Sequence, residues 1–68
     1  MNDNENLDIE NYTINDILSI FNIVNPTINN VTDIANTLIA RMTVEKKPDM
    51  ALFITSARDK VLSYLQNI

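Results

Sequence analysis

One helical period runs unbroken through the last twenty-two residues, Lys47 to Ile68, and no other feature restricts the fold as much. Met50, Phe53, Ile54, Ala57, Val61, Tyr64, Leu65 and Ile68 fall on one broad face at i, i+3, i+4 spacing, the pattern of a helix that buries one side. Its start is marked. Pro48 suits a first helical turn, where its missing N–H costs nothing, and Asp49 places negative charge at the positive end of the helix dipole. A stripe of that width stays out of water only if the rest of the chain covers it.

Two further stripes are available as cover. Thr13-Ile14-Asn15-Asp16 reads as a capping box, with Thr13 capping and Asp16 reaching back. The helix it opens buries Ile14, Ile17, Leu18 and Phe21 and runs over residues 13–22. The residues before Pro26 then leave helical geometry, because a residue preceding proline is pushed out of the α region. Ile28, Val31, Ile34, Ala35, Leu38, Ile39 and Met42 form the second stripe. Either Thr27 or Asn30, the latter with Asp33 three residues on, can cap this helix, and Thr27 is favoured because it keeps Ile28 in the stripe. Lys46 and Lys47 suit the negative end of a helix over 28–45, and the third helix occupies 48–66. Glycine is absent from the sequence, which disfavours tight hairpins and glycine-rich phosphate loops. The expected fold is all-α: a small antiparallel three-helix bundle over residues 12–68.

At 68 residues this is one domain with little margin. A core of that size rarely supplies more than ~3–5 kcal/mol, and natural domains of this length usually add staples. With no Cys and no His, disulfides and the usual zinc sites are excluded. Tight packing, self-association or attachment to a longer chain must serve instead, and the sequence stops on an amphipathic helix without a capping Gly or Pro. Of the nine acids, Asp3, Glu5, Asp8 and Glu10 fall in the first ten residues with no Lys or Arg among them. Residues 1–11 are therefore expected to form a flexible acidic leader, from which Leu7, Ile9 and Tyr12 can fold back onto the body. The remainder balances five acids against five bases, so it carries no basic footprint for nucleic acid. No apolar run approaches the ~20 residues that span a bilayer, and an acidic, Asn-rich start is the reverse of a signal or transit peptide. A cytoplasmic setting is expected. The excess of Asn and Ile fits coding in an AT-rich genome.

Catalysis finds no support in the residue types. Ser19, Ser56 and Ser63 have neither His nor Cys to activate them, and Asp16, Asp33, Asp49 and Asp59 lie mostly at helix starts, where capping explains them. No catalytic, cofactor, metal or small-molecule site is expected. Asn11-Tyr12-Thr13 and Asn30-Val31-Thr32 match the glycosylation sequon but read better as helix-start chemistry. What remains is apolar surface. Leu52 and Leu62 lie off the third stripe, and Ile20, Ile23, Val24 and Val44 lie off or between the other two. These six are the candidate partner-binding residues, for a protein partner or a second copy.

Lys47-Pro48-Asp49, between two helices, resembles the His-Pro-Asp loop of J-domains, and Ile17-Leu18-Ser19-Ile20-Phe21-Asn22-Ile23 resembles their opening helix. The likeness implies a degenerate J-domain-like regulator of a chaperone. Here Lys47 replaces the histidine, and the second helix carries only Arg41 as a base before its end. A closer likeness covers Tyr12 to Leu65: Y-T-I-N-D-I-L-S-I-F-N-I-V-N-P-T, then N-V-T-D-I-A-N-T-L-I-A-R-M, then K-P-D-M-A-L-F-I-T-S-A-R-D-K-V-L. It is similar to a short helical module at the N-termini of structural proteins of giant viruses, the mimivirus-like and algal nucleocytoplasmic large DNA viruses. Asn25-Pro26-Thr27, Ala35-Asn36 with Leu38-Ile39-Ala40, and Pro48-Asp49 carry it most specifically. That resemblance implies a non-catalytic virion-targeting or assembly module working in host cytoplasm and virion.

Overall fold

The computed structural model describes residues 9–67. A single 3-10 turn, Ile9–Asn11, leads into helices α1 (Ile14–Phe21), α2 (Ile28–Val44) and α3 (Pro48–Gln66), the three-helix bundle expected from the stripes. The leader anticipated over residues 1–11 falls largely outside the described residues, as does Ile68 of the third stripe.

Local chemistry sets each boundary. Thr13 Oγ1 accepts from the Asp16 N–H while Asp16 Oδ2 accepts from the Thr13 N–H, both at 3.0 Å, completing the capping box that opens α1. Thr27, not Asn30, caps α2: its Oγ1 accepts from the Asn30 N–H at 3.0 Å. Lys47 precedes α3 without a side-chain cap, and Pro48 occupies the first turn.

The two inter-helix turns close in the same way. After α1, the Ile23 N–H donates to Leu18 O and the Asn22 N–H to Ser19 O; after α2, Lys47 donates to Met42 O and Lys46 to Thr43 O. These are Schellman pairs, which need one residue in the left-handed region. In a chain without glycine those positions fall to Asn22 (φ 61°) and Lys46 (φ 62°).

Residues 45–47 alone connect α2 to α3, and these two helices share most of the tertiary contacts. Both rise about 1.5 Å per residue, so residues equidistant from the turn come level. Ala35 and Ala57 stand eleven residues either side of Lys46, Val31 and Val61 fifteen, and all four are completely buried. Alanine and valine at matching heights leave room for a close approach of the two helices. Arg58 ties the pair outside this seam, donating through Nη1 to Asn36 Oδ1 at 2.9 Å. Ile17 and Phe21 from α1, with Phe53 and Ile54 from α3, complete a core that, among the described residues, contains no polar side chain.

The body measures 35 × 26 × 17 Å, too thin for a deep interior. Eight-residue α1 is about 12 Å long against about 28 Å for nineteen-residue α3, so it cannot cover the whole third stripe. Met50 and Tyr64, expected in the buried face, are 40% and 46% exposed, and Ile28 at the start of α2 is also exposed.

Candidate functional site

The six proposed contact residues divide into two groups. Leu52 (66% exposed), Val24 (86%), Val44 (79%) and Ile20 (49%) present apolar surface to solvent. Leu62 and Ile23 do not: both are half-buried and pack against the core cluster. For Ile23 the reason is the turn after α1, which brings the residue following the left-handed position back over the helix end. For Leu62 it is the breadth of the α3 face. Ala51, Thr55, Arg58 and Leu62 are all half-buried, so the contact zone extends well beyond a stripe drawn for a helix with a single neighbour.

Leu52 belongs to an open groove of about 550 Å³ at the α2–α3 turn, lined by Thr43, Lys46, Lys47, Pro48, Ala51, Leu52 and Thr55. Its apolar character comes partly from its threonines. Thr43 Oγ1 donates to Ile39 O and Thr55 Oγ1 to Ala51 O, both at 2.9 Å, which satisfies the hydroxyls within their own helices. Pro48 presents its ring and donates no hydrogen bond. Two lysines form the polar rim, and Lys47 lies 3.4 Å from Glu45 in an exposed pair of little energetic weight. Of the Lys47-Pro48-Asp49 motif, then, the first two line the groove and Asp49 lies in the first turn of α3. Val44 projects from the end of α2 close by in sequence but does not line this groove.

A second groove, of about 440 Å³, runs beside the short helix α1. Thr13, Ile14, Asn15 and Leu18 of the α1 region, Val24 and Pro26 of the loop, and Tyr64 of α3 line it. Its walls are more polar, because the exposed capping groups of α1 form one side. Sequence reasoning found Val24 here but missed Tyr64, assigned to the buried stripe, and Pro26, read only as a helix breaker. No local signal distinguishes Tyr64. Its exposure is set by the groove it shares with the start of α1 and the loop after it.

Chemically the surface offers apolar contact with a few rim charges. Among the described residues no polar or charged side chain is buried and no three His, Cys, Asp or Glu side chains gather as a metal-binding group. No helix among them is long and apolar enough to cross a membrane. Compared with protein-family models, curated proteins and solved structures, the chain matches none.

Proposed function

We propose that this chain is a non-catalytic protein–protein interaction module that directs or assembles the virion of a large DNA virus, acting in host cytoplasm and in the particle. The observation that carries the binding role is Leu52, two-thirds exposed beside a groove whose threonine hydroxyls are already satisfied. Removing such a surface from water favours association, and a domain this thin has the most to gain from a partner's cover. The virion assignment rests on the likeness of Tyr12–Leu65 to the giant-virus module. The partner is another protein or a second copy, met through apolar contact at the turn between α2 and α3.

Leu52→Asp tests this reading. The side chain is exposed, so folding stability should change by no more than about 0.5 kcal/mol and the helical circular dichroism should persist. Co-sedimentation with virion components, or self-association by light scattering, should weaken by about tenfold or more, the usual effect of losing an interface anchor. Unchanged binding by this variant removes Leu52 and its groove from the interface. Stimulation of Hsp70 ATP hydrolysis by the wild-type chain, lost on Asp49→Asn, would instead favour the J-domain-like regulator.

A further inference from the structure

The 3-10 turn Ile9–Asn11 is too short to hold itself together, since one helical turn fixes several dihedrals for a single hydrogen bond. Residues of α3 help to hold it. Lys60 Nζ donates to Ile9 O at 3.2 Å and to Tyr12 O, so one ammonium grips both ends of the turn. The Tyr12 ring meets Phe53 edge-on, centroids 5.3 Å apart. Ile9 and Tyr12 are half-buried against the core cluster, and Phe53, beneath the Tyr12 ring, is 6% exposed. The capping box begins at the next residue: the Thr13 N–H is already held by Asp16, so α1 does not need the turn in order to start. Met50, one helical turn before Phe53 on the same face of α3, is 40% exposed.

We infer that residues 9–12 form a strap hinged at Thr13, which opens while the three-helix body stays folded and, in opening, uncovers Phe53 beside Met50. Lys60 is the clasp. Its hydrogen bonds run to carbonyls, and the (CH₂)₄ stem lets the charge reach the turn from a part-buried position. Uncovering Phe53 would enlarge the apolar surface around Met50, and neither residue lines the groove beside Leu52. This gate is therefore independent of the binding role assigned to that groove.

Amide hydrogen exchange on the full chain tests the strap. The Tyr12 N–H reports it directly, through its 3.1 Å bond to Ile9 O, and the Val61 N–H reports the body from a completely buried position. In the wild type the Tyr12 amide should exchange faster than that of Val61 and show almost no dependence on low denaturant, because its opening exposes little surface. Lys60→Met keeps the stem and removes the donors. It should speed Tyr12 exchange by about ten- to a hundredfold, the equivalent of a hydrogen bond to a charged group, and leave Val61 nearly unchanged. Equal rates and equal denaturant slopes for the two amides in the wild type would overturn the inference. So would a Lys60→Met variant in which Tyr12 exchange is unaltered, or in which both amides accelerate together.

Discussion

The α2–α3 hairpin and the short helix α1 reach their places by different means. The hairpin has length: seventeen and nineteen residues joined by three, with alanine and valine pairs level across the seam. It tolerates a poor turn residue, Lys46 in the left-handed region, and an α3 start with no side-chain cap. At eight residues α1 is well below the length at which an isolated helix persists, and both of its ends are chemically closed. Thr13 and Asp16 satisfy the first turn reciprocally, and Asn22, a residue suited to the left-handed region, completes the last. Where packing area is scarce, local hydrogen bonding supplies order; where it is plentiful, local chemistry can be left unoptimised.

The largest test of that contrast is Ile17→Ala. Ile17 is completely buried and, with Phe21, is what α1 contributes to the core. Truncation there should cost about 2–5 kcal/mol, comparable to the whole stability of a domain this small. Circular dichroism in urea should show α2 and α3 lost together with α1, because a two-helix hairpin cannot cover both of its own stripes. A variant that keeps the hairpin's helicity while only α1 melts would show the hairpin to be self-sufficient. Ala57→Leu strikes the other region. Ala57 has no exposure and faces the level of Ala35, so the extra methylenes must push the helices apart at a cost of about 1–3 kcal/mol, read as a lower urea midpoint. A neutral result would mean that the two backbones are not closely apposed there.

The same contrast explains what the sequence made visible. Capping is local, so Thr13-Asp16 could be read from spacing alone and Thr27 from spacing together with the stripe that Ile28 begins, and the eight core residues all belong to stripes that a 3.6-residue period picks out. Errors arise where a property depends on the reach of another element. Met50, Tyr64 and Ile28 match the helical period but are left partly open by the other elements, while Leu62 and Ile23 fall off the period yet are half-covered, by a broad α3 face and by a tight turn. The Lys60 clasp spans 48 and 51 residues to the carbonyls it holds, and no short-range pattern encodes it. The candidate surface was legible to the same degree. Leu52, Val24, Val44 and Ile20 follow from periodicity, whereas the groove beside Leu52 requires knowing that Thr43 and Thr55, from different helices, line one groove across the turn.

The smallest effect compares the two left-handed positions. A non-glycine residue at φ near 60° carries a steric penalty of about 1–2 kcal/mol, reduced for Asn, whose short side chain can bond locally. Glycine removes that penalty but gives the unfolded chain more freedom, and at Lys46 it also removes a favourable charge at the end of α2. Lys46→Gly should therefore stabilise by about 0.5 kcal/mol, raising the melting temperature by about 2–4 °C for a chain of this size. Asn22→Gly should shift it by less than about 1 °C, since Asn already fits. Differential scanning calorimetry of the two variants checks the ordering. Reversal of the order would mean that the turn after α1, rather than the turn of the hairpin, holds the strained residue, and that the short helix is not the better finished of the two.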